Sequence, residues 1–151
     1  MRKIFALAAA AALAGCTITT GGGFPNPNGP PTYGSATVNP GFTRTVSVAS
    51  GGSVNAAVLG SSCKGFIASN PDFNVQFQTL FGLIPLAISV QSNADTTLVV
   101  QRPDGVYICD DDSGGNLNPR LQINNPQAGV YHVWVGTYGG TGIFSSTLRF
   151  N

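Results

Sequence analysis

The stretch Phe73-Asn74-Val75-Gln76-Phe77-Gln78 alternates apolar and polar side chains at every position. Successive side chains of a β-strand point to opposite faces, so this pattern predicts a strand with one buried face. Turn-forming residues, such as Pro103-Asp104-Gly105, separate it from further strand-like stretches. Those stretches are 43–48, 86–90, 96–101, 106–109, 121–123, 130–135 and 144–150. About eight strands in about 115 residues are typical of an all-β antiparallel sandwich or jelly roll.

Composition supports an all-β chain. The 151 residues include 20 Gly and 10 Pro, which interrupt helices and argue against a helical bundle. All six acidic residues are Asp, which prefers turns and caps, and none is the helix former Glu. With 42% hydrophobic and 9% charged residues, the composition also argues against disorder of the whole chain.

The N-terminus has the layout of a secretory signal. Arg2 and Lys3 precede an apolar run that ends on Leu13-Ala14-Gly15-Cys16. These last four residues resemble the bacterial lipoprotein box, which implies removal of residues 1–15 and attachment of diacylglycerol and an N-acyl chain to Cys16. Three acyl chains hold a protein firmly to a membrane. Thr17 in place of Asp favours the outer membrane. An ordinary secretory signal with an incidental Cys is the alternative.

The next stretch, residues 16–37, is rich in Gly, Pro and Asn. Such a stretch buries too little apolar surface to offset its ordering entropy, so we expect a tether that carries a domain at 38–151. After signal removal, five cationic residues remain against six Asp, and the cations are scattered singly. We therefore expect no nucleic-acid partner.

Two cysteines remain once Cys16 is lipidated, namely Cys63 and Cys109. In an oxidising compartment a disulfide between them would close a loop of about 47 residues and add roughly 4 kcal/mol of stability. Two buried free thiols and a shared metal are the alternatives, and a single His makes a zinc set a poor match.

Several blocks together resemble the bacterial pre-peptidase C-terminal domain. They are Asp95-Thr96-Thr97-Leu98, Cys109-Asp110-Asp111 and the run Gly129-Val130-Tyr131-His132-Val133-Trp134-Val135-Gly136, and the resemblance covers roughly residues 42–151. The resemblance implies a jelly-roll β-sandwich without catalysis of its own, usually attached to secreted proteases. It also implies calcium binding in some members. No protease domain is recognisable in these 151 residues.

The best candidate site is the acidic run Asp110, Asp111 and Asp112, with Asn116 in the Gly-rich loop that follows. Oxygen ligands on such a loop suit Ca²⁺. Asp95 and Asp104 are secondary candidates for the same site. The alternative is a solvated turn in which the carboxylates bind local backbone amides.

Other chemistry is sparse. His132 is the only imidazole and lies in the middle of a predicted strand, where a general base is rarely found, so we expect no enzyme activity. The aromatic residues Tyr107, Tyr131, Trp134 and Tyr138 could form a binding face, but core packing explains them as well.

The sequence therefore predicts a non-catalytic, lipid-anchored binding or adhesion module of the bacterial envelope, stabilised by calcium if the acidic run binds it. Its partners would be the membrane and a protein or glycan. An accessory or remnant domain of a secreted peptidase system is the second hypothesis.

Overall fold

The structure is a computed structural model that describes residues 23–39, 41–78 and 84–151. Within these ranges the chain is all-β and has no α-helix, as predicted. A 3-10 helix, Ala56–Leu59, follows β3. The strands are β1 Ser35–Val38, β2 Arg44–Ser50, β3 Val54–Asn55, β4 Phe66–Ile67, β5 Phe73–Phe77, β6 Leu86–Ser92, β7 Thr96–Gln101, β8 Tyr107–Asp110, β9 Arg120–Ile123, β10 Gly129–Thr137 and β11 Phe144–Phe150.

The strands form two sheets. Sheet A has seven strands in the order β1-β5-β10-β4-β3, with β7 paired to β10 and β8 paired to β7. Sheet B has four strands in the order β2-β11-β6-β9. Apolar side chains from both sheets meet in one core, including Phe73, Leu98 and Val133 from sheet A and Ile88 and Leu148 from sheet B. This arrangement is that of a β-sandwich.

Sheet A is buried on both faces. Its inner face joins the main core, while Trp134 on the other face packs into a second core with Cys63, Ile67 and Val99. Burial on both sides explains why β7 reads as an unbroken apolar run, Leu98-Val99-Val100, rather than as an alternation.

Cys63 and Cys109 form the predicted disulfide. It joins the segment after the 3-10 helix to β8 and lies beside the second core. The pairing excludes the two alternatives of free thiols and a shared metal.

The predicted tether requires correction over its described part. Part of residues 23–37 is bound to the domain through the segment between β4 and β5: Asn26 N–H donates to Ser69 O at 2.7 Å and Thr32 N–H donates to Pro71 O at 2.9 Å. β1 then pairs with β5 in parallel. Composition predicted a tether because this segment has no core of its own. It gains order instead by satisfying backbone groups along the edge of an existing sheet.

The signal peptide 1–15, Cys16 and residues 17–22 of the predicted tether lie outside the described residues, as does most of the apolar window 80–84. None of the described helical segments has the length and apolarity needed to cross a membrane.

Candidate functional site

His132 lies in the middle of β10, opposite Asn74 on β5. The His132 Nδ1 atom is 3.0 Å from Asn74 Oδ1, and burial lowers the pKa of the imidazole from its ordinary value. The ring lies 6.4 Å from that of Trp134. The only imidazole of the chain is therefore engaged in a cross-strand hydrogen bond on the sheet.

Asp110 accepts more hydrogen bonds than the other two carboxylates of the acidic run. Its carboxylate accepts hydrogen bonds from Ser113 N–H at 3.0 Å, from the Ser113 hydroxyl at 2.5 Å and from Arg120 N–H at 2.8 Å. These bonds close the turn after β8 and fix the start of β9. For Asp110 the turn interpretation is the one that the geometry favours, because these donors occupy oxygens that a cation would need.

Asp95 approaches Asp111 and Asp112. Burial is the main cause that raises the pKa of Asp95, and the negative charges of Asp112 and then Asp111 raise it further. One Asp95 oxygen is buried and has no hydrogen-bond partner among the described residues. The fold thus brings these three candidates to one end of the sandwich.

Two other candidates have different surroundings. Asp104 follows the opposite end of β7, where it forms an ion pair with Arg102 at 2.8 Å and accepts a hydrogen bond from Val106 N–H at 3.1 Å. Asn116 is exposed, with a positive φ of 54°, in the loop between β8 and β9. Across residues 23–39, 41–78 and 84–151, no group of three His, Cys, Asp or Glu side chains is placed to hold a metal ion.

Asn118 connects the two loops at this end, and the sequence analysis did not identify it. Its side-chain oxygen accepts hydrogen bonds from Ser92 N–H at 2.9 Å and from the Thr96 hydroxyl at 3.1 Å. Its amide nitrogen donates to Ser92 O at 3.2 Å and to Asn116 O at 3.0 Å. Asn118 is 7% exposed, so these four bonds are largely shielded from water. A lone Asn before a Pro gives no sequence signal for this role.

We expect Asn118→Ala to lower the free energy of unfolding by about 2 to 3 kcal/mol, because Ser92 N–H and the Thr96 hydroxyl lose a buried acceptor. Urea denaturation monitored by Trp134 fluorescence measures this change. Asn93→Ala is the matched control, since Asn93 is exposed at the same end. Equal stability of the two variants would contradict the role given to Asn118.

Asp72 is the second residue that the sequence analysis missed. It is 2% exposed and lies just before β5, and its carboxylate accepts a hydrogen bond from Val135 N–H at 2.7 Å. β10 pairs with β5 as far as Val133 and with β4 at Thr137. The Asp72 carboxylate therefore binds a backbone N–H in the part of β10 between these two pairings. Burial raises the pKa of Asp72 to about 7, although the hydrogen bond from Val135 opposes the shift.

The aromatic candidates do not form a common face. Trp134 and Tyr131 are fully buried, and the Tyr131 hydroxyl donates to Gln127 O at 2.9 Å. Tyr107 is half-buried, with its ring 6.1 Å from that of Trp134, whereas Tyr138 is 48% exposed at the end of β10. Core packing therefore explains most of these residues.

Two open grooves lie at the end of the sandwich that carries Asp95. One, of about 840 Å³, is lined by the β6–β7 turn, the β10–β11 loop and Phe144. The other, of about 670 Å³, has a polar lining and shares Ser92, Asn93 and Ser145 with the first.

Fold and crosslink together define the class of the protein as a disulfide-linked, all-β domain of two sheets. A comparison with protein-family models finds no matching family, and a comparison with curated proteins finds no matching relative.

Proposed function

We propose that this chain is a non-catalytic, lipid-anchored binding module of the bacterial outer membrane, in which Cys16 carries the lipid and the β-sandwich binds an envelope or surface partner. The observation that carries the proposal is the disulfide between Cys63 and Cys109. Disulfides persist in oxidising compartments, which supports the export that the N-terminal sequence predicts.

A jelly-roll sandwich related to the pre-peptidase C-terminal domain is the second part of the proposal. The strand order supports it, because sheet B is β2-β11-β6-β9 and four strands of sheet A neighbour one another as β5-β10-β7-β8. Eight strands in two sets of four, with repeated crossing between the sheets, are typical of a jelly roll.

The binding role rests on the chemistry of the described residues. His132 is hydrogen-bonded to Asn74, and Asp110 serves a turn. The open grooves, by contrast, present hydroxyl, amide and aromatic groups to solvent at one end of the sandwich. This distribution supports binding rather than catalysis as the function of the domain.

Replacing Cys16 by Ser tests the anchor. We expect the wild-type chain in the membrane fraction and Cys16→Ser in the soluble fraction or retained with its signal, because the acyl chains require the Cys16 thiol. Mass spectrometry of the wild-type protein from membranes checks the same point through loss of residues 1–15 and addition of lipid mass. Thr17→Ser is the control and should fractionate like wild type. Membrane association of a Cys16→Ser chain that has lost residues 1–15, or a wild-type Cys16 without lipid, would contradict the anchor.

Calcium stabilisation by the acidic run remains a proposal: the charges of Asp112 and Asp111 act on Asp95. No three acidic side chains of the described residues are placed to hold an ion, so calcium would take backbone, amide or water oxygens beside at most two of these carboxylates. A ligand of the native state raises stability by about 2.7 kcal/mol at about one hundred times its dissociation constant, or about 10 °C in a domain of this size. We expect a thermal melt in millimolar calcium to show such a rise over a melt in chelator. Asp111→Asn combined with Asp112→Asn should remove the rise, and Asp104→Asn should keep it. Identical wild-type melts with calcium and with chelator would argue against the site.

A further inference from the structure

The outer face of sheet B is mostly polar. On each of its strands the inward side chains, such as Val48, Ile88, Leu121 and Leu148, join the core, so the alternate positions face solvent. These outer positions carry hydroxyl, amide and guanidinium groups together with two alanines, and no acidic or aromatic side chain. They are Thr45, Ser47, Ala49, Ala87, Ser89, Gln91, Arg120, Gln122, Ser145, Thr147 and Arg149.

Two arginines that are distant in sequence become neighbours on this face. Arg149 on β11 lies opposite Ser89 on β6, and Ser89 lies opposite Arg120 on β9. Two strand spacings place about 10 Å between the two arginine Cα atoms. Only the small side chain of Ser89 lies between them in this row, so no large side chain separates the two arginines. We call the row Arg149, Ser89 and Arg120 the notch.

The charge of this notch is not neutralised within the described part of the chain. Arg120 and Arg149 are both exposed, and neither guanidinium forms an ion pair with a carboxylate there. Asp110 approaches Arg120, but its carboxylate binds the Arg120 backbone N–H at 2.8 Å. Arginine side chains in this state favour phosphate, sulfate and carboxylate groups.

A polar groove continues the notch toward the end of the sandwich. Thr147 and Gln91 form the cross-strand pair next to Arg149 and Ser89 along the strands, and both line the groove of about 670 Å³. The other lining residues also carry hydroxyl or amide groups, namely Ser92, Asn93, Asn116, Asn118 and Ser145. Hydroxyl and amide groups of this kind suit the hydroxyls of a sugar chain. Asn118 is the exception, because its side chain is buried and its hydrogen bonds are internal.

The chemistry of the face distinguishes between classes of partner. Protein interfaces depend on buried aromatic and large apolar anchors as well as on arginines, and the outer positions of sheet B carry two arginines but no aromatic or large apolar side chain. We propose that this face binds a polysaccharide bearing phosphate, sulfate or carboxylate groups, with its charged groups at Arg120 and Arg149 and its hydroxyls along Gln91 and Thr147. This inference names the partner class of the proposed binding module and rests on that function.

The test measures binding of the full chain in detergent to immobilised dextran sulfate and polygalacturonate, with unsubstituted dextran as the neutral reference, at about 0.15 M salt. We expect binding to the two anionic polymers only. Arg120→Gln combined with Arg149→Gln should weaken it at least about tenfold, because two charge-assisted contacts are lost. Ser89→Asp should do the same, since a carboxylate then occupies the notch. Arg44→Gln combined with Lys64→Gln removes the same charge elsewhere and should leave binding within about twofold of wild type.

Three results would overturn the inference. They are absence of wild-type binding to both anionic polymers, equal weakening in the two double variants, and binding to anionic phosphatidylglycerol vesicles with none to the polymers. The last result would assign the notch to a lipid headgroup. The polymer assay does not depend on acylation of Cys16, so a negative result there leaves the proposed anchor intact. A negative result in the fractionation of Cys16→Ser likewise leaves the proposed polymer binding intact.

Discussion

Replacing both Cys63 and Cys109 is expected to lower the free energy of unfolding by about 4 kcal/mol, because the unfolded chain recovers the freedom that the closed loop denies it. The two residues are 46 positions apart. A loss of this size is a large part of the stability of a small domain. Urea denaturation of the double variant, compared with the wild-type chain under oxidising and reducing conditions, measures it.

The choice of replacement separates two effects. Cys63 is 2% exposed and packs in the second core with Trp134, so Ser at this position also buries a hydroxyl. The Cys63→Ala, Cys109→Ala variant avoids that cost and should match the reduced wild-type chain, while the Ser pair should be less stable. An Ala pair as stable as the oxidised chain would contradict a stabilising role for the crosslink.

Stability is also expected to fall as the pH rises from about 4 to about 7, with Asp72 as the main cause. The pKa of Asp72 rises from 3.8 to about 7 on folding. Between these values the native state holds a proton that the unfolded state has lost, so the free energy of unfolding decreases with rising pH. The stabilising contribution of protonated Asp72 is complete below about pH 4 and lost above about pH 7. At about 1.4 kcal/mol per pH unit, it amounts to about 4 kcal/mol.

Asp72→Asn isolates this contribution. The Asn side chain can still accept the hydrogen bond from Val135 N–H but does not ionise. The difference between the wild-type and Asp72→Asn stabilities, measured in urea at a series of pH values, should change by about 4 kcal/mol over this interval. Asp104→Asn is the control, because Asp104 is exposed in a turn. Parallel pH profiles for wild type and Asp72→Asn would refute the role of Asp72.

The sequence predicts eight of the strands because each is an alternating or, as in β7, an unbroken apolar stretch bounded by turn-forming residues. All eight predicted strands appear, and β10 extends only slightly beyond the predicted 130–135. β3 and β4 have two residues each, too few to establish a period. β1 escaped prediction because its neighbours suggested a tether, and only the free edge of β5 gives it a partner.

The site is less predictable because it depends on register. Asp72 accepts a hydrogen bond from Val135 N–H, in the part of β10 between its pairing with β5 and its pairing with β4. No local sequence pattern reveals this position. Arg120 and Arg149 read as isolated charges in the sequence, and they become neighbours only because both strands pair with β6 at Ser89. The Cys63–Cys109 pair was predictable by counting, since only two cysteines follow the lipoprotein box.

The crosslink also has a mechanical consequence. With the proposed anchor at Cys16 and the proposed binding through sheet B, a force between membrane and ligand would pass through the domain. The disulfide shortens the chain that can be extended when the domain unfolds by 46 residues. That is roughly 160 Å of contour length at about 3.5 Å per residue. β4 to β7 lie inside the bridged loop and would not be pulled out while the disulfide is intact, so the oxidised domain would extend less under force than the reduced one.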